Sequence, residues 1–110
     1  MAMDAYAKQV HNFLKLMNDS VLLVSEQNKA NMDILITMLG ALDKEIICDC
    51  YGLFGTPQKP LADIAKKHRV KPEVINEIIA KDLRKIAITP EWQMIQQEFS
   101  DTVKQKIGVV

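Results

Sequence analysis

Cysteine is scarce in this chain: two residues among 110, Cys48 and Cys50. On a helix, positions two apart point about 200° from each other, which argues against a disulfide. Cys50 falls on an apolar face and reads as a small core residue, with Cys48 as a bystander. Histidine is equally scarce, and neither His11 nor His68 stands at zinc-ligand spacing from the cysteine pair. No metal and no cofactor is expected. Aromatic residues make up 5% of the chain, with four glycines and four prolines against 48% hydrophobic residues. That balance argues against an all-β or disordered chain and for a mostly helical one. No apolar run reaches the roughly 18 residues of a membrane span. The opening MAMDAYAKQV lacks a basic segment followed by an apolar one, so no secretory signal is expected. With so few cysteines, the expected compartment is the reducing cytoplasm. There is no glycine-rich phosphate loop, no Ser/His/Asp set and no paired loop carboxylates, so neither enzymatic activity nor a small-molecule substrate is expected.

Net charge is zero, but its distribution is uneven. Residues 59–86 hold eight basic and four acidic groups, a net +4, whereas residues 1–58 hold four basic and seven acidic groups, a net −3. The basic block is compatible with nucleic acid and equally with an ordinary solvated face. Its sequence is KPLADIAKKHRVKPEVINEIIAKDLRKI. Leu61, Ile64 and Ala65 give one apolar stripe, with Asp63, Lys66 and Lys67 opposite. The pattern breaks at His68-Arg69-Val70-Lys71 and resumes at Pro72, a residue suited to the first turn of a helix. Ile75, Ile78, Leu83 and Ile86 then share one arc. Two amphipathic helices around a short turn, the second longer and basic at its end, form the helix-turn-helix pattern.

Leu39 to Ile86 resembles region four of the bacterial housekeeping sigma factors, the module that reads an upstream promoter element. Ile46-Ile47 followed by Tyr51-Gly52-Leu53 is similar to the family's "VL…RYGL". Leu61-Ala62-Asp63-Ile64-Ala65 is similar to "LEEIG", and Ala80-Lys81-Asp82-Leu83-Arg84-Lys85-Ile86 to "AKALRKL". The resemblance implies a helix-turn-helix that meets promoter DNA and the flap of RNA polymerase. It also has departures. Where the family's recognition helix opens "TRERVRQIE", this chain has Lys71 to Ile79, with Pro72, Val74 and Asn76 for three arginines and Glu77 for the glutamine. Cys50 replaces an arginine that the family sets against the phosphate backbone. Glu73, Lys81 and Arg84 remain of the family's DNA-facing set.

The candidate DNA-binding residues are therefore Lys66, Lys67, Arg69, Lys71, Glu73, Asn76, Glu77, Lys81 and Arg84. Asn76 suits adenine and Glu73 can accept from cytosine, while two carboxylates on one reading face oppose the phosphate field. Val74 and Ile79 replace charged family residues. They either pack against an extra helix of the chain or form a protein-binding surface. His68 reads as a solvated residue at a helix end, the alternative being a phosphate contact. Arg69 stands where the family prefers glycine, in a turn that calls for positive φ. Asp82 falls inside the apolar arc and is expected to reach a Lys or Arg, unless the helix register shifts.

Outside this block the periodicity predicts further helices. Residues 4–17 carry Tyr6, Val10, Phe13, Leu14 and Met17 at helical spacing, and the run 21–24 is expected to extend that helix. Asn28 or Asn31 is the expected N-cap of a second helix with Met32, Leu35, Ile36 and Leu39 inside. A third is expected from Asp43 to Gly52, with Ile46, Ile47, Cys50 and Tyr51 buried. Thr89-Pro90-Glu91 opens a last helix carrying Trp92, Ile95, Phe99, Val103 and Ile107 and ending at Gly108.

The expected architecture is a single all-α domain over residues 1–110. It comprises N-terminal helices over 1–38, a sigma region four-like helix-turn-helix over 39–88 and a C-terminal helix over 89–110. The terminal stripes are buried on this domain or in a homodimer. The leading functional expectation is a transcription-associated protein that binds double-stranded promoter-like DNA or the polymerase flap. The alternative is a protein-interaction module whose helix-turn-helix does not touch DNA.

Overall fold

A computed structural model describes residues 3–109. Those residues form seven α-helices and no strand: α1 (Ala5–Asp19), α2 (Glu26–Thr37), α3 (Ala41–Tyr51), α4 (Leu61–Lys67), α5 (Pro72–Ala87), α6 (Pro90–Gln97) and α7 (Asp101–Ile107). Among them, no helix is long and apolar enough to cross a membrane. Residues 1 and 2, at the head of the segment read for a secretory signal, lie outside this description.

Local chemistry sets most boundaries. Asp4 caps α1 by accepting the Ala7 N–H, Ser25 caps α2 and Ser100 caps α7. Thr89 caps α6 with Pro90 in the first turn, as expected from Thr89-Pro90-Glu91. Gly52 and Gly108 end α3 and α7 in the left-handed conformation. At Gly52 a Cβ would stand 2.9 Å from the Gln58 Cβ and 3.2 Å from its backbone nitrogen, so the residue also permits close approach of the loop.

Four boundaries differ from expectation. The run after α1 does not extend it: Val21–Leu23 form one turn of 3-10 helix, after Ser20 closes α1 on the Leu16 carbonyl. Ser25, not Asn28 or Asn31, caps α2, and Asn28 is buried. Helix α3 starts at Ala41, which puts Asp43 in its first turn rather than at the cap. The C-terminal stripe belongs to two helices, because Ser100 accepts the Val103 N–H and restarts the helix. The stripe's five residues remain buried across that break, since three- and four-residue spacings persist on either side of it.

The long α1 lies against α5, α7 and α3, and so closes the bundle from its N-terminal end. Its Phe13 stacks on Phe99, with ring centroids 4.6 Å apart and planes 14° apart. Trp92 meets both rings edge-on at 5.7 and 5.9 Å. Three aromatic side chains from opposite ends of the sequence thus share one packed cluster, worth more than their area alone. The C-terminal stripe is buried within the chain itself, and so is the N-terminal one except Tyr6, which is 62% exposed while Ala7 beside it is buried. Inside α3 the two cysteines exchange roles: Cys48 is the buried one, and Cys50 is only partly covered. Phe13→Ala should lose about 3–5 kcal/mol of stability, read as a lower urea midpoint with an unchanged slope.

Candidate nucleic-acid interface

The helix pair read from the sequence as a helix-turn-helix consists of α4, the four residues 68–71, and α5. Its turn is hydrogen-bonded at His68, Arg69 and Val70. The Val70 N–H donates to the Ala65 carbonyl at 3.0 Å and the Arg69 N–H to the Lys66 carbonyl at 3.2 Å. This pair of bonds is the Schellman motif, which places one residue in the left-handed region. That residue is Arg69, at φ +58°, the geometry implied by the glycine that the resembled family prefers there. Pro72 then opens α5 with its ring in the first turn.

The turn is held from beneath by α3. Asp49, buried on that helix, accepts from the Lys59 ammonium at 2.8 Å and from the Lys67 ammonium at 3.2 Å. The Lys59 N–H also donates to the Asp49 carbonyl. Glu45, one turn earlier, accepts from Lys67 at 2.9 Å and lies 3.9 Å from the His68 ring. Burial acts to raise the Asp49 pKa, but the hydrogen bonds from Lys59 and Lys67 outweigh it and hold the carboxyl below its ordinary range. The Glu45 and Asp49 carboxylates in turn hold Lys67 above its ordinary range. Sequence reasoning missed both acids. The available signal was position: Asp49 sits on the buried side of α3, three residues after Ile46. His68 is not the solvated residue expected, since its ring is mostly covered beside Glu45.

The candidate residues divide into four groups. Lys66, Arg69 and Lys71 are exposed around the turn and make no ion pair among the described residues, and Lys81 is likewise exposed on α5. Lys67 is taken up by the acids of α3. Arg84 forms an ion pair with Asp4 at the start of α1. There α1 runs beside α5, and Met3, Asp4, Ala7, Glu77, Ala80, Lys81 and Arg84 border a groove of about 430 Å³. Glu73, Asn76 and Glu77 face outward on the first two turns of α5. Glu73 in the first turn complements the positive end of the helix and so weakens its pull on an anion.

The two apolar candidates also separate. Val74 is partly exposed on the outer face. Ile79 is 3% exposed and belongs to the core, so of its two expected roles it takes packing within the chain and not the binding surface. It extends the Ile75–Leu83–Ile86 stripe, four residues from Ile75 and Leu83, on the face that meets the other helices.

Asp82 lies on that same stripe and is 1% exposed. Among the described residues no Lys or Arg pairs with it, contrary to expectation, and the helix register does not shift to expose it. It faces Asp43 of α3 instead, and Oδ2 has no hydrogen-bond partner. Burial, reinforced by the Asp43 carboxyl, pushes its pKa up to about 7, against an ordinary value of 3.8.

Comparison with models of known protein families, with curated proteins and with solved structures finds no match.

Two measurements follow from this geometry. Arg69→Gly should raise the thermal midpoint modestly, with a gain of at most about 1 kcal/mol, because the left-handed strain it relieves is partly offset by a freer unfolded chain. For Asp82 the folded pKa lies above the unfolded one. Its stabilising contribution is therefore fully present below about pH 4 and lost as pH rises through about 7. Urea midpoints should fall between about pH 4 and 7, by a stability on the order of 2–4 kcal/mol, and level off above that. Asp82→Asn should flatten that dependence and make the variant the more stable form at the upper end. Asp49 acts in a different window: its depressed pKa gives stability above about pH 4 that is lost on acidification.

Proposed function

We propose that this chain is a transcription-associated protein whose α4–α5 helix-turn-helix engages double-stranded, promoter-like DNA or the flap of RNA polymerase. Both roles are those that the resemblance to sigma region four implies. The observation that carries the reading is the set of exposed cations without ion-pair partners, Lys66, Arg69 and Lys71, gathered around the tight turn that starts α5. Such a group neutralises phosphate and sets the register of a helix on a duplex. Asn76, one turn into α5, supplies an amide able to read adenine. Lys81 adds a fourth cation further along the helix.

A specific observation favours a second reading, an interaction module that binds protein and not DNA. Two of the candidate cations, Lys67 and Arg84, are spent on internal carboxylates, and Glu73 and Glu77 face outward on α5. The polymerase flap is compatible with either reading, since it requires no phosphate contact.

Fluorescence anisotropy of a labelled promoter duplex separates the two. With four phosphates neutralised, log K should fall with log salt at a slope of about −3 to −4 between roughly 50 and 200 mM. Replacing Lys66 and Lys71 together by alanine should reduce the slope by about 2. Loss of preference over a scrambled duplex leaves a phosphate-binding face without base readout. Absence of binding at the lower salt removes the DNA reading and leaves the interaction module.

A further inference from the structure

A second surface lies outside the helix-turn-helix, between α2 and α6. The two helices pack together through Leu35 and Ile95, which form the floor of a groove of about 400 Å³. Its walls are Ile34, Met38 and Met94, which remain 61, 68 and 67% exposed. These are long apolar side chains on helices that already have a buried face, so core packing does not account for them. Two of the three are methionines, whose flexible thioethers adapt to differently shaped apolar partners. The remaining charged groups on the border are Glu91 and Glu98, and no cation lines the groove.

We propose that this groove docks an amphipathic helix of a partner protein, with an apolar stripe flanked by lysine or arginine. The groove has the form of a helix-binding site, an apolar trough beside α2, itself about 18 Å long. Charge complementarity selects the partner: the acidic border favours a basic flank and disfavours an acidic one. It also argues against a second copy of the chain. A two-fold contact here would set Glu91 and Glu98 of both copies against each other with no cation between them. The most exposed of the chain's own large apolar side chains, Leu22 at 97%, lies between Asp19 and Glu26 in sequence and brings no flanking cation. The proposal is independent of whether α5 binds DNA.

The test uses the full chain and a capped synthetic helix of about 14 residues with leucines at i, i+3, i+4 and i+7 and lysines beside them. A control peptide keeps the leucines and replaces the lysines with glutamates. Titration followed by backbone amide NMR and calorimetry should show the basic peptide shifting signals of α2 and α6. It should bind about tenfold or more tightly than the acidic one. Met38→Ser combined with Met94→Ser should weaken it by a similar factor while helicity stays unchanged, both side chains being exposed. Glu91→Lys with Glu98→Lys should reverse the order of the two peptides. Equal affinity for both peptides, no binding, or shifts insensitive to the methionine changes would overturn the proposal. So would sedimentation showing a dimer that the methionine changes dissociate, because the occupant would then be a second copy.

Discussion

The arrangement of the central helices depends on one buried carboxylate. Asp49 sits inside the bundle on α3 and receives two ammonium groups, from Lys59 before α4 and Lys67 at its end. An isolated carboxylate there would be expensive, and removing one partner would leave a buried charge. The paired arrangement therefore ties the loop 52–60 and both ends of α4 to α3. The same bonds pair the ammonium of Lys67 while its side chain stays exposed, so a residue that reads as a phosphate contact also serves the fold.

Helix α5 carries both structure and candidate function. Its inner stripe meets α1, α3, α4 and α6, and its outer face holds Glu73, Asn76, Glu77 and Lys81. Packing α1 alongside brings Asp4 to Arg84, which neutralises one more cation of the outer face. Among the described residues, unpaired exposed cations therefore stand at both ends of α5, Lys66, Arg69 and Lys71 around the turn and Lys81 and Lys85 further along, and the far end is bordered by the chain's own N-terminal helix. Asp82 is an exception to the logic of the inner stripe. It faces another carboxyl rather than a cation, which links stability to protonation of a group near neutrality.

Most of the helices were legible from local chemistry. Thr89-Pro90-Glu91, Pro72, Gly52 and Gly108 mark boundaries because caps, proline and left-handed glycine act within a single turn. The positive φ of Arg69 was implied by the resemblance, whose family prefers glycine at that position. The stop before the 3-10 turn and the break at Ser100 were not legible. An apolar stripe that continues at three- and four-residue spacing does not reveal an interruption of the backbone that leaves the spacing intact. The caps Ser25 and Ser100 were visible as residue types but competed with Asn28, Asn31 and an unbroken periodicity.

The chain's periodicity and caps determine an all-helical fold, the extent of α4 and α5, and which stripe of each helix turns inward, because these depend on neighbours within about four residues. Which cations stay free depends on contacts far apart in sequence. Asp49 with Lys67, Asp4 with Arg84 and Asp43 with Asp82 meet only after α1, α3, α4 and α5 have packed. The assignment of Ile79 to the core and the exposure of Met38 beside Met94 have the same origin. Helical spacing fixes the face of a side chain, but burial depends on whether another element arrives to cover that face.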